Sequence, residues 1–130
     1  MGTQEARPLV LDAGALIAVE KADRGVLALI AVAVDAAQPV IVPAGVVGQV
    51  WRDGARQARV ARVIHAPGTT IETLDRPTAK AAGVLCGSAR THDVVDAAVV
   101  IAARRFNALV ITSDPDDLRQ LDPAMDAHRA

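Results

Sequence analysis

The chain reads as an α/β protein: a parallel sheet of about four to five strands with helices on both faces. Three observations predict this. Short continuous apolar runs at Leu9 to Leu11, Val40 to Val42 and Ala108 to Thr112 have the character of strands buried on both faces. Stretches of helical length and pattern separate them. Strands that alternate with helices pair in parallel through right-handed crossovers, which lay the helices against the sheet.

Each element follows in order. Residues 1–7 are polar and expected to be loose. Pro8 opens the first strand, and Asp12 stands at its end. Ala13 to Ala22 reads as a short helix, broken at Asp23-Arg24-Gly25. Val26 to Ala37 forms a second helix that is apolar almost all round, suited either to plain core or to covering a second copy or a partner peptide. Val40 to Val42 is the second buried strand, and Pro43 suits the first turn of the helix AGVVGQVWRDGA. Gln57 to Ala66 continues as helix, ended by Pro67-Gly68. Thr69 to Leu74 alternates and predicts a third, more exposed strand. A helix starts at Asp75-Arg76-Pro77 and runs through AKAAGVLCGSA. Asp93 to Phe106 is the next, with Arg104-Arg105 at the end that the helix dipole favours. Ala108 to Thr112 is the fourth strand, and Ser113-Asp114-Pro115 leads into a last short helix, DDLRQL. The polar tail, 123–130, is expected to fray.

The 130 residues form a single domain spanning 1–130, and at this length ~65–70% of the unfolded surface can be buried. The core is aliphatic, because Trp51 and Phe106 are the sole aromatic residues. A net charge of -1 provides no bulk field for nucleic acid, so any such binding must be local. Cys86, the single cysteine, excludes an internal disulfide, suits a reducing cytosol and reads as a small buried apolar group. The start, MGTQEARPLVLD, has no apolar signal region, and the run Gly25 to Val34 falls far short of the ~20 residues that span a bilayer. A cytoplasmic protein without a membrane span is expected.

The chemistry concentrates in acids that topology delivers to one place. Ligand sites of an open parallel sheet lie beyond the carboxyl ends of its strands. Asp12 ends the first strand, and Asp114 follows the fourth by two residues. Neighbouring strands lie ~5 Å apart. Asp93 and Asp96 open the helix that feeds the fourth strand, so they start at the same edge. Like charges gathered there raise each other's pKa, and a hard divalent cation relieves them. Bound metal can polarise a phosphoryl oxygen and activate water, which points to phosphodiester hydrolysis. Each acid also has a plainer role. Asp12, Asp93 and Asp114 can cap helices, and Asp116 and Asp117 suit a first helical turn. The convergence of Asp12, Asp96 and Asp114 favours the site.

Arg52, Arg56 and Arg59 fall at i, i+4 and i+7, one helix face with Arg62 nearby. That face is either a solvated surface or a weak phosphate-contacting stripe for RNA. His65, His92 and His128 lack zinc spacing with Cys86. No Walker-type loop and no G-x-S-x-G elbow occurs. A phosphoacceptor receiver domain needs a lysine after a strand, which neither Lys21 nor Lys80 provides, and a dehalogenase-type phosphatase needs Asp-x-Asp where Asp12-Ala13-Gly14 stands.

Three segments, LVLDAGALIA, IVPAGVVGQVWR and DVVDAAVVIAARRFNALVITSDPDDL, together resemble the PIN domain family, in particular VapC-like toxins of toxin–antitoxin pairs. The likeness runs from Leu9 to about Leu121, and its most specific part is Asp96, the apolar helix and strand after it, and Thr112-Ser113-Asp114. It implies a three-layer PIN-like fold and a Mg²⁺- or Mn²⁺-dependent endoribonuclease. Asp12, Asp96 and Asp114 would hold the metal, and Thr112 would orient a water on the ion or a neighbouring carboxylate. It also implies a homodimer that cuts RNA and is neutralised by a cognate VapB-like antitoxin. The family usually carries glutamate within Val46 to Trp51, where this chain has Gln49. Glutamine keeps a carbonyl ligand and removes a charge, which weakens metal binding. Asp93, or Asp53 one turn beyond Gln49, is a candidate to restore that charge. The rival reading is a degenerate PIN module that binds RNA or antitoxin without cutting.

Overall fold

A computed structural model describes residues 6–130. Five strands form one sheet in the order β3-β2-β1-β4-β5. They are β1 (Leu9–Leu11), β2 (Val40–Pro43), β3 (Thr69–Glu72), β4 (Leu109–Thr112) and β5 (Ala127–Arg129). All four strand pairs are parallel. Seven helices connect them: α1 (Ala13–Glu20), α2 (Arg24–Asp35), α3 (Ala44–Val50), α4 (Ala58–Ile64), α5 (Arg76–Ala89), α6 (Val94–Phe106) and α7 (Pro115–Leu121).

The strand order places the helices. The chain steps from β1 to β2 to β3 in one direction, then returns past β1 to β4 and β5. Right-handed crossovers in opposite directions fall on opposite faces. One face therefore carries α1 and α2, with α4 against α1 and β3. The other carries α6 across β2, β1 and β4, with α5 and α7 packed against α6. The direction reverses between β1 and β4, and such a switch point opens a crevice at the carboxyl ends of the strands. Val10, Leu11, Ile41, Val42, Val110 and Ile111 are wholly buried between the layers, as central parallel strands require.

The sequence expectation holds for the α/β class, both helical faces and the first four strands, including the more exposed β3. Three expectations change. The tail from Pro123 does not fray: β5 pairs with β4 in the register Val110↔Ala127, Ile111↔His128 and Thr112↔Arg129. Met125 is buried and the Ala130 N–H donates to the Thr112 carbonyl at 2.7 Å. This edge strand exposes His128 and Arg129, so no apolar run marks it. The expected looseness of residues 1–7 falls on 1–5, which lie outside the described residues, and on Ala6 and Arg7, of which Arg7 forms an ion pair with Asp126. The third helix stops at Val50 instead of Ala55. Gln57 ends it from outside: its Oε1 accepts the N–H groups of Arg52 and Asp53 at 2.7 and 3.0 Å, and its Nε2 donates to the Val50 carbonyl at 2.9 Å.

That early stop separates the three arginines. Arg52 and Arg56 lie in the turn and Arg59 lies on α4, so they share no helix face. Cys86 is buried as expected. On α2, only Val26 and Ala33 are buried, while Val32 and Val34 are each 53% exposed. No helix among the described residues is long and apolar enough to cross a membrane.

Candidate functional site

The crevice at the switch point is lined by acids from three parts of the chain. Asp12 follows β1, Asp93 and Asp96 open α6, and Asp114 and Asp117 open α7. Gln49 of α3, Thr112 and Ser113 complete its polar wall. Its volume is about 220 Å³, room for a cation with waters at about 30 Å³ each. No arginine, lysine or histidine lines it.

Local structure explains how each acid arrives. The backbone N–H of Asp12 donates to the Ile111 carbonyl at 3.2 Å, which seats Asp12 against the end of β4. Asp12 Oδ1 then caps α1 by accepting the Ala15 N–H at 3.0 Å. Asp93 caps α6 by accepting the Asp96 N–H at 2.9 Å. Asp114 caps α7 by accepting the Asp117 N–H at 3.3 Å. So the capping role foreseen for these three residues is present, and the same residues line the crevice. Each cap uses one carboxylate oxygen. Asp96 caps nothing.

Thr112 is buried, at 1% exposure. Its Oγ1 accepts the Asp114 N–H at 3.0 Å, and its hydroxyl beside Asp12 favours that carboxylate's charged form. Gly14 allows the turn after β4 to approach: a Cβ there would stand 2.8 Å from the Ser113 backbone nitrogen. Gly45 faces Val95 between α3 and α6, where an added Cβ would stand 3.1 Å from Val95 Cγ2.

Electrostatics follows from this crowding. Burial lifts the pKa of Asp12 above the usual carboxylate value; the Thr112 hydroxyl and the Ala15 and Gly14 N–H groups oppose it, and the Asp114 charge adds to it. Asp96 is pushed up to about 7, first by burial and then by the charges of Asp93, Asp117 and Asp12. Asp117 is raised chiefly by the Asp114 charge. An acid left protonated near neutrality marks a place where positive charge is missing.

The donor set is all oxygen, which suits Mg²⁺ or Mn²⁺. As the side chains stand, however, no three acids, imidazoles or thiols among the described residues come within reach of a single ion. The caps account for this, since Asp12, Asp93 and Asp114 are each turned toward a backbone N–H. The carboxylates ring the crevice without closing on its centre.

The residues singled out from the sequence therefore divide. Asp12, Asp96, Asp114, Thr112, Asp93 and Gln49 share one crevice. Asp93 and Gln49 both line it. Asp53 does not reach it: its Oδ1 accepts the Ala55 N–H at 3.0 Å and its Oδ2 lies 3.8 Å from Arg56. Arg52, Arg56 and Arg59 lie outside the acidic wall. Asp117, read from the sequence as a first-turn residue, belongs to the wall, as does Ser113, which was not singled out. Asp117 sits three residues from Asp114, a spacing that brings both to one side of a helix start.

The sequence matches no family model and no curated protein. Comparison of the fold finds solved structures over almost the whole chain. A chain of VapBC2 from Rickettsia felis, bound to a DNA fragment from its promoter, superposes with a TM-score of 0.70 at 11% identity, covering 95% of this chain and 98% of that one. A chain of FitAcB from Neisseria gonorrhoeae gives 0.62 at 18%, covering 93% and 96%. A chain of FitAB bound to an IR36 DNA fragment gives 0.59 at 16%, covering 93% and 94%. At these identities the likeness establishes the fold, the PIN-like α/β architecture that the three sequence segments implied.

Proposed function

We propose that this protein is the toxin of a toxin–antitoxin pair and acts as a Mg²⁺- or Mn²⁺-dependent endoribonuclease. One observation carries the reading: Asp12, Asp96 and Asp114 converge with Thr112 on a single crevice at the sheet's switch point that no basic residue lines. The toxin assignment is supported by the fold shared with chains of VapBC2 and FitAB, together with the three sequence segments that resemble VapC-like toxins. The protein would act in the cytoplasm as a homodimer, with a VapB-like antitoxin as its partner.

Asp12, Asp96 and Asp114 would hold the ion. The ion, when bound, supplies Lewis-acid polarisation of the scissile phosphoryl group and an activated water. Thr112 fixes the start of α7 through its hydroxyl oxygen and favours the charged form of Asp12. Asp93 and Asp117 add negative charge around the same crevice. Gln49 contributes a neutral carbonyl where an acid would bind a cation more tightly.

The second reading, a PIN-like module that binds RNA or antitoxin without cutting, is favoured by Gln49 and by the open spacing of the carboxylates. Incubating partner-free protein with structured RNA and Mg²⁺ or Mn²⁺ separates the two. Cleavage that Asp12→Asn abolishes supports the nuclease. Cleavage that persists in that variant removes the site proposed here, and RNA binding with no cleavage at any metal concentration selects the second reading.

A further inference from the structure

We infer that a second cleft, joined to the acidic crevice at Gln49, is the track of the RNA strand, with Lys21 and Arg52 as its phosphate contacts. This rests on the nuclease reading and names the side from which the substrate is held.

The acidic crevice repels a polyanion, so cations beside it must hold the strand while the chemistry occurs. Besides an apolar pocket that meets it at Val95, whose Arg105 is ion-paired with Glu72 at 2.6 Å, two depressions share walls with it. One adjoins at Asp93, Asp96 and Asp117 and adds Thr91, Gln120 and Leu121, none of them cationic. The other, of about 260 Å³, adjoins at Gln49 and adds Ile17, Glu20, Lys21, Val50, Arg52 and Gln57. A strand reaching the acids by this second route meets two positive charges.

The two cations are differently prepared. Arg52 Nη1 donates to the Gly48 and Trp51 carbonyls at 3.2 and 2.7 Å, at the C-terminal end of α3. That fixes one corner of the guanidinium and leaves its remaining N–H donors for a phosphate. Lys21 ends α1, is exposed, and forms no ion pair among the described residues. Glu20 does not cancel it directly, because Glu20 Oε2 accepts the Val60 N–H at 3.2 Å. Ile17, 45% exposed, gives the cleft an apolar patch against which a base can lie. Of the three arginines expected to form a stripe, Arg52 alone lines this cleft. Arg59 is held by the Glu20 carbonyl at 3.3 Å, and Arg56 faces Asp53.

The test uses full-length, partner-free protein carrying Asp12→Asn, so that a labelled single-stranded RNA is bound and not consumed. Lys21→Gln and Arg52→Gln are expected to weaken binding by about 3- to 10-fold each, and to lower the salt dependence by about 0.7 per cation. Arg119→Gln on α7 is the control and should leave Kd unchanged. In the cleavage-competent background the same two variants should raise KM and hold kcat within about twofold. Thermal melts establish that each variant is folded, and Lys21→Gln with Arg52→Lys carries the test if Arg52→Gln unfolds. The inference alone is overturned if the parent binds RNA and the Lys21→Gln/Arg52→Gln double variant binds it equally at every salt concentration. It is also overturned if the double variant loses the antitoxin and keeps the RNA, which makes the cleft the antitoxin's seat. A parent that neither binds nor cuts RNA removes the nuclease reading, and this inference with it.

Discussion

Thr112 and Asp114 are bonded at the carboxyl end of β4, where the threonine hydroxyl oxygen accepts the Asp114 N–H at 3.0 Å. The same hydroxyl, beside Asp12 just past the neighbouring β1, favours that carboxylate's charged form, so one buried side chain bears on two acids. Thr112→Val keeps the shape and removes both effects. It should cost roughly 1–3 kcal/mol of stability, the usual penalty for stranding buried partners, and should weaken Mn²⁺ binding. Thr112→Ser should restore both properties. Denaturant unfolding and calorimetry measure the two effects, and a valine variant with parental stability contradicts the arrangement.

Asp12→Asn, Asp96→Asn and Asp114→Asn should each lower RNA cleavage by at least ~100-fold, beyond what loss of supporting groups around a metal does. Asparagine retains an oxygen that can cap a helix. The thermal midpoints should therefore stay within ~5 °C of the parent. The check is initial-rate cleavage beside a thermal melt. A variant that retains full activity is not a ligand.

Stability should depend on pH in a definite direction. Asp96 is raised to about 7 in the folded chain, against ~3.9 for an unperturbed aspartate. The folded state then binds more protons than the unfolded state between those values, so stability falls as pH rises. Its contribution is fully present below about pH 4 and lost once pH passes about 7. Asp12 and Asp117, also raised, act in the same direction. Without divalent cations, Tm should decline from pH 5 to pH 8, and Mg²⁺ or Mn²⁺ should raise Tm more at pH 8 than at pH 5. A cation effect equal at both pH values argues against a site at these acids.

Gln49→Glu should tighten Mn²⁺ binding by about tenfold, the weight of one added close charge of roughly 1.4 kcal/mol in a half-exposed site. Cleavage should rise with it at limiting metal. Titration calorimetry of the parent and the variant decides this, and equal affinities would mean that residue 49 does not reach the ion.

Much of this architecture was legible because it depends on strongly patterned segments. β1, β2 and β4 are unbroken apolar runs, and the rule that parallel sheets bind ligands at their carboxyl ends brought Asp12, Asp96 and Asp114 together without coordinates. What escaped notice was local and polar. β5 is three residues long on an exposed edge, so nothing in its composition separates it from a loose tail. Helical spacing grouped Arg52, Arg56 and Arg59, but the amide of Gln57 satisfies backbone groups just past Val50 and ends α3 there. The close approach at Gly14 depends on a turn some hundred residues away, which no local pattern encodes.

The helix caps carry a consequence for descent. Asp12, Asp93 and Asp114 each start a helix, and they also surround the crevice. A lineage that ceased to cut RNA would still be selected to keep a capping residue at these three positions, because losing a cap costs about 1 kcal/mol in a fold whose whole margin is about 5–15 kcal/mol. Asp96 has no such second employment, and its raised pKa makes it a burden to an empty site. Relaxed selection should therefore erase position 96 before 12, 93 or 114. Among descendants of this fold, the residue at that one position is the better record of whether the ancestral chemistry is still in use.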